Sequence, residues 1–371
     1  MDDSDWDTIR HDLTNEIEVP AQFYAEGEAP TAVTVRRKSS RALPSEADPI
    51  KIGMKVKTVS GNWHGVTTLS LENGGDGGPV EEGMAWQLHE LASVDGFYGA
   101  GYHPALASWV KVYLNGDYIG VYTNAEQRNK QFLRNRFGTT SGKWFYEIDD
   151  ASTWELEAGD PHSPTWNVLC FAPFNQSIYS GKKASGGCPA PNDEQLDDVL
   201  NAYIDMQAML TQGAVDAFID NNDALFSHSK NYSFVDFAFV GSDPGPKRRY
   251  YPWDLDAVFR SNTASIYGTI SGRDKLVQHP FELSILNHPT FRQQYNAIML
   301  ALTDPAGPLS ETALHAFLDA AQAAVQPALD ADPYLLEEFR TGEFDRLKRW
   351  ISARIPNVRA QAIANTPAPR P

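Results

Sequence analysis

An α+β fold is predicted by three features of this 371-residue chain. Strand-like alternation dominates the first 125 or so residues, helix-like periodicity dominates beyond about residue 275, and a β hairpin lies between two helical stretches. Strands and helices are therefore segregated, giving a β-rich N-terminal part and a mainly helical C-terminal part. A doubly wound sheet is excluded, because it needs repeated βα units with parallel crossovers. The chain is 42% hydrophobic and 21% charged, with nine Trp, fifteen Tyr and eighteen Phe, so it can bury a substantial core and is not disordered as a whole.

TAVTVRRKSS (31 to 40) and KIGMKVKTV (51 to 59) alternate apolar with polar residues and read as antiparallel strands. GVTTLSLEN is a third strand. It runs into GGDGGPVEEG, whose glycines turn the chain before a helix containing Met84, Ala85, Leu88 and Leu91. ASWVKVYLNGDYIGVYTN gives two β runs around Asn115-Gly116-Asp117, the strongest short-range hairpin signal in the chain. EQRNKQFLRNRFG is a short helix stopped by Gly138, and KWFYEID is a further strand.

Residues 151 to 192 are loop-rich. From Asp193 the acidic turn DEQLDD opens a long helical pattern through Leu196, Val199, Leu200, Tyr203, Met206 and Leu210, continuing to Ile219. NYSFVDFAFV (231 to 240) reads as a strand apolar on both faces, followed by the turn GSDPGP and a partner strand RRYYPW. The remainder is helical and ends in a Pro/Ala tail expected to be disordered. These signals divide the chain into a β-rich lobe with a loop-rich insertion (1 to 192), a mainly helical lobe (193 to 365) and the tail (366 to 371).

With 31 Lys+Arg against 48 Asp+Glu the formal charge is −17. That balance argues against a protein that works by neutralising nucleic-acid phosphates or anionic lipid. No apolar run reaches the roughly 18 residues of a transmembrane helix. The start, MDDSDWDTIRHD, lacks the features of a signal peptide, although a trimmed mature chain would look the same. Cys170 and Cys188 flank a polar, Gly/Ser-rich segment that can bend back on itself. They read either as a disulfide, which favours an extracytoplasmic or secreted protein, or as two unrelated thiols.

The chemistry is expected in IDNNDALFSHSKNYSFV, where Asp220, Asn221, Asn222, Asp223, His228, Lys230 and Asn231 separate two apolar segments. A helix end running into carboxylates and amides, then into a buried strand, places oxygen ligands at the mouth of a core, which suits hard cations such as Mg²⁺ or Mn²⁺. The hairpin then leads to YPWDLDAVF, where Asp254 and Asp256 share a face if extended. Phosphoryl transfer uses this kind of set: an Asp that accepts a hydroxyl proton, an Asn and an Asp on metal, and a cation on the nucleotide phosphates. The alternative is that these are loop carboxylates capping helices and turns. A glycosidase pair is disfavoured because Asp254 and Asp256 are too close in sequence to flank a sugar bond. GxGxxG, Walker A, HExxH and GxSxG motifs are all absent.

At these residues the chain resembles the spore coat protein H (CotH) kinase-like family. The family signature is an Asp, a short gap, His-Asn-Tyr, a hairpin and Pro-Trp-Asp-x-Asp. Here it is represented by Asp223, His228, Asn231-Tyr232 and Pro252-Trp253-Asp254-Leu255-Asp256. VRRKSS, KIGMKV, the WHG to LSLEN segment, VYLNGDYIGVYTNAEQ, FLRNRFG and LSILNHPTFRQQY also match family patterns. The resemblance implies an atypical protein-kinase-like fold that binds ATP and Mg²⁺ or Mn²⁺ and phosphorylates a protein substrate. Carried over, Asp223 is the catalytic base, and Asp254 and Asn231 are the metal ligands. Lys51, with Glu126 as its ion-pair partner, is the nucleotide lysine, or else, with Lys55 and Lys57, the solvent face of a strand; Arg37 and Lys38 are competing phosphate contacts, and Trp253 either stacks on adenine or belongs to the core. The departure is that Ser229 and Lys230 separate His228 from Asn231. The other class of function is a catalytically inactive kinase-like scaffold or surface binding module.

Overall fold

The computed structural model describes the chain except residues 46, 75–77, 151–152, 160–162, 166–195, 229, 242–244, 268–284, 287 and 367–371. Cys170 and Cys188, most of the loop-rich insertion, the Asp193 helix start and the last five residues of the tail lie outside the described part.

Every strand pair predicted from alternation is antiparallel, and the described chain is α+β. It divides into two units, each assembled from separate stretches on both sides of residue 192. The first comprises Met1–Gln87, Ala105–Asn135 and His315–Arg349; the second comprises Leu88–Pro104, Arg136–Leu314 and Trp350–Pro371.

The first unit holds a six-stranded sheet. Its strands are β1 (Val19–Phe23), β2 (Thr31–Pro44), β3 (Pro49–Thr58), β4 (Thr68–Glu72), β5 (Ala107–Leu114) and β6 (Asp117–Glu126), in the order β1-β2-β3-β4-β6-β5. Short helix α1 (Asp3–Arg10) contributes Ile9 to a core built on the alternate residues Val33, Val35, Ile52, Met54, Val56, Leu69 and Leu71. Period-two alternation thus becomes one buried sheet face. Between β2 and β3 the register jumps, so that residues 38 to 41 bulge out opposite Gly53. The β5–β6 turn has Asn115 and Gly116 at φ 50° and 99°, the two positive values that an Asn-Gly hairpin requires.

The second unit contains the four-stranded sheet β10-β9-β7-β8, formed by β7 (Lys143–Asp150), β8 (Thr153–Ala158), β9 (Tyr232–Phe237) and β10 (Arg249–Pro252). All six residues of β9 are buried, as a strand apolar on both faces predicts, and Ser233 and Asp236 are buried with the rest. Arg248, just before the edge strand β10, and Asp236 of β9 form a fully buried bidentate pair, with Nε to Oδ1 at 2.6 Å and Nη2 to Oδ2 at 2.8 Å.

The long helix expected through residue 219 is two helices, α4 (Leu196–Tyr203) and α5 (Met206–Phe218). The break comes where Ile204 bridges to Arg248 and the Asp205 carboxylate accepts the Ala208 N–H, capping a new helix. α5 is buried on nearly all sides, its polar residues Thr211, Gln212 and Asp216 included. A Cβ at Gly213 would enter the Phe226 ring, so the glycine permits that approach. The remaining helices are α2 (Gly78–Val94), α3 (Lys130–Phe137), α6 (Pro289–Leu302), α7 (Glu311–Asp330), α8 (Glu337–Arg340) and α9 (Glu343–Ala364). No helix among the described residues is long and apolar enough to cross a membrane.

Candidate active site

The segment that carries Asp223 is built from the end of α5. Arg354 of α9 donates to the carbonyls of Ala217 at 2.5 Å and Phe218 at 3.0 Å, satisfying acceptors that a helix C-terminus leaves open. Burial lowers the Arg354 guanidinium to about 10, opposed by the charge of Asp220. The chain then turns at Asp220, where φ is 57°. Its carboxylate accepts the Ser261 N–H at 2.7 Å, and the Ile219 carbonyl accepts the Phe259 N–H at 2.7 Å. These bonds stitch the helix end to the stretch that follows Asp254. Burial raises the Asp220 carboxyl above its usual range, with the Ser261 bond and Arg354 acting against it.

Asn221 carries the order one step further. Its side-chain N–H donates to Asp216 Oδ1 at 3.2 Å, while its Oδ1 accepts the backbone N–H of Asp223 at 3.0 Å. Asp216 is itself buried, and His89 Nε2 lies 3.4 Å from the same oxygen. The hydroxyl of Ser227 donates to the Asn222 carbonyl and accepts the Ala224 N–H, and the His228 N–H reaches Asn222 O at 3.3 Å. The loop is closed on itself before the strand begins.

Asp223 is held at both oxygens. His228 Nδ1 is 3.1 Å from Oδ1, and Lys230 Nζ is 2.8 Å from Oδ2. All three side chains remain partly open, 26%, 25% and 32% exposed respectively. Just beyond, β9 and β10 end in register, with Pro252 opposite Tyr232. The Trp253 N–H donates to Asn231 O at 2.9 Å. The hairpin therefore brings Asn231 and Asp254 together, with Asn231 Nδ2 donating to Asp254 Oδ2 at 3.3 Å. Both residues have left-handed backbones, φ 55° and 54°, a conformation that costs non-glycine residues on the order of 1–3 kcal/mol and clusters at working sites. Asp256 does not share a face with Asp254, because residues 255 and 256 are in a turn rather than extended.

The donor set fits a hard divalent cation. Asp254 supplies carboxylate oxygens, and Asn231 presents its own oxygen after a half-turn of the amide, whose O and N are assigned from hydrogen bonding alone. A separate trio, Glu147, Glu155 and Glu157 on β7 and β8, places three carboxylates within 4.8 Å of one another. Period-two spacing on a hairpin puts them together, a signal that sequence reading passed over.

The basic residues expected at a nucleotide are in the first unit, and their surroundings differ from the expectation. Lys51 is fully buried, its ammonium 2.6 Å from Asp332 Oδ2 and 5.3 Å from the Tyr122 ring centroid. Burial lowers its pKa, and Asp332 partly restores it. The ion pair expected between Lys51 and Glu126 is not formed. Glu126 closes a strand rather than opening a helix, lies opposite Leu69 and accepts the Leu106 N–H at 3.2 Å. Arg37 is fully buried and donates to the carbonyls of Ser39, at 2.5 Å, and Arg10. Lys38 pairs with Glu72, which also accepts from Ser70 Oγ at 2.9 Å. Trp253, in the second unit, is 8% exposed and packed as a core residue.

Residues 57–357, most of the chain, match the family model described as "CotH: CotH kinase protein". The match includes Asp223, Asn231 and Asp254 and begins after Arg37 and Lys51. No curated protein matches the chain.

Proposed function

Because the chain belongs to the CotH kinase protein family, we propose that it is an atypical protein kinase, transferring the γ-phosphoryl group of ATP to protein hydroxyls with the help of Mg²⁺ or Mn²⁺. The observation that carries this reading is the contact between Asn231 and Asp254 at the end of the β9–β10 hairpin, following a loop that leaves Asp223 partly open. In this reading Asp223 orients the substrate hydroxyl and takes its proton. Asn231 and Asp254 would hold the cation, which offsets charge on the phosphates. Asn221, Asp216 and Arg354 fix the loop so that the base does not have to be ordered during the reaction.

A second reading is a kinase-like scaffold without catalysis. It draws on the burial of Arg37 and Lys51, which leaves those two cations turned inward. Melting curves separate the two, since a ligand that binds only the native state raises apparent stability. Wild-type protein is melted with ATP and Mg²⁺ or Mn²⁺ beside Asp254→Ala. A metal-dependent rise that is lost in the variant supports the kinase; no rise with either metal favours the scaffold. Asp223→Asn is expected to lower phosphoryl transfer by at least about 100-fold while melting like wild type. Unchanged transfer would remove Asp223 from the role of base.

A further inference from the structure

We propose that Lys230 is a second catalytic residue of this site, the cation that meets the transferred phosphoryl group. The inference rests on the kinase reading of Asp223. In the sequence Lys230 lies between Asp223 and Asn231, directly before the latter. That position delivers an ammonium to Asp223 Oδ2 at 2.8 Å.

Geometry restricts what that ammonium can do. The hydroxyl that Asp223 deprotonates must lie within hydrogen-bond reach of the carboxylate, about 3 Å, and about 3–3.5 Å from the phosphorus it attacks. A cation 2.8 Å from the same carboxylate is therefore within a short swing of the equatorial phosphoryl oxygens. His228 and Lys230 hold one oxygen of Asp223 each; a carboxylate oxygen has two acceptor positions, so an arriving hydroxyl can bind beside either partner, and the ammonium is the partner that a phosphate can draw away. Lys230 is the more exposed of the two, at 32%, and it has a flexible four-carbon stem and a point charge. Incoming phosphate offers it an equal partner, and its departure frees Oδ2 to accept the proton. His228, with its short side chain in a closed loop, stays to orient the base.

In the step itself, a lone pair of the hydroxyl oxygen forms the bond to the γ-phosphorus. The bond from that phosphorus to the bridging oxygen breaks, and ADP leaves with the electron pair. The hydroxyl proton passes to Asp223. Lys230 keeps its protons and balances charge on the equatorial oxygens, the kind of preorganised electrostatic contact whose loss costs on the order of 100-fold in rate.

The test compares wild type with Lys230→Met and Lys230→Arg in two assays. In steady-state transfer from ATP to a generic protein substrate, the Met variant is expected to lose about 100-fold in kcat together with a rise in KM for ATP, and Arg to recover part of both losses. In melting curves with Mn²⁺ and either ATP or ADP, the extra stabilisation by ATP is expected to vanish in Lys230→Met, a readout that a merely structural role would not move. Wild-type kcat together with an intact ATP-over-ADP difference in Lys230→Met would overturn the proposal. So would a rise in kcat, which would make the pair inhibitory. Wild-type protein that neither transfers phosphate nor responds to ATP would instead remove the kinase reading itself, and this inference with it. If Lys230→Met melts abnormally without ligand, Lys230→Gln replaces it in the same comparison.

Discussion

Lys51 with Asp332 and Lys230 with Asp223 are the same two functional groups at nearly the same separation, 2.6 and 2.8 Å. Their surroundings differ in every other respect. The first pair is wholly buried, and Asp332 accepts three further backbone N–H groups, from Val121, Tyr334 and Leu335 at 2.9 to 3.1 Å. The second is open to solvent and bound to a loop whose backbone is already fixed by Asn221 and Ser227. A buried pair in a fully satisfied setting is committed to the fold, because neither partner can leave without stranding a charge. An exposed pair can exchange partners at little cost. The distinction ties Lys51 to the fold and leaves Lys230 able to change partners.

The comparison is tested most severely by removing each ammonium in turn. Lys51→Met leaves the Asp332 carboxylate buried without its cation and is expected to cost about 3–5 kcal/mol, read as a lower urea midpoint at unchanged slope. The double variant Lys51→Met/Asp332→Leu is expected to regain much of that loss. A midpoint for Lys51→Met equal to wild type would mean that the buried pair is not committed to the fold.

Gly120 approaches the same carboxylate from β6. A Cβ there would fall on the Asp332 carboxylate, and φ of 123° is strained for any other residue. Gly120→Ala is therefore expected to cost about 3 kcal/mol, with a matching fall in the urea midpoint. A neutral result would show that Asp332 can move aside and that its setting is less rigid than the four contacts imply.

Between the two extremes lies the cluster of Glu81, Glu343 and Arg346, whose side chains are 10%, 3% and 37% exposed. One guanidinium serves both carboxylates, and burial, with Glu343 alongside, raises Glu81 to about 8. The folded protein thus holds a proton that the unfolded chain releases near pH 4.5. Stability from this group is present in full below that pH and is lost as pH rises towards 8. The expected loss is on the order of 2 kcal/mol, because every tenfold gain in proton affinity corresponds to about 1.4 kcal/mol and the exposure of Arg346 reduces the effect. Glu81→Gln should flatten denaturation midpoints measured from pH 5 to 8; an unchanged slope would assign the proton elsewhere.

What could be read from sequence follows the same division between local and distant interactions. Strand alternation, the Asn115-Gly116 turn and the apolar pattern of β9 on both faces are encoded by neighbours in the chain, and each led to the right element. The meeting of Asn231 with Asp254 was legible because a hairpin connects them and brings its two ends together. Asp332 left no sequence signal as the partner of Lys51, since 281 residues separate them and nothing local marks the match. Arg354 was equally invisible as the cap of α5. The break at Ile204 was missed because helical periodicity continues through it, while the bridge at the break is made to Arg248, 44 residues further along the chain. Lys230 stood in plain view, but only the loop closure by Ser227 and Asn221 turns its position into a contact with Asp223.

The smallest expected effect is the one that completes the comparison. Lys230→Met removes a cation from a pair that is 26% to 32% exposed, and such pairs contribute about 0–1 kcal/mol, less in salt. Its urea midpoint should therefore stay within about 1 kcal/mol of wild type at both low and high ionic strength, whereas Lys51→Met falls by several times that amount. The same substitution at two lysines on aspartates would then separate the two roles: one variant that binds ATP but folds poorly, and one that folds normally but transfers slowly. A large loss of stability in Lys230→Met would place this pair with the scaffold, since an ammonium needed to hold the loop together is not free to follow a phosphate.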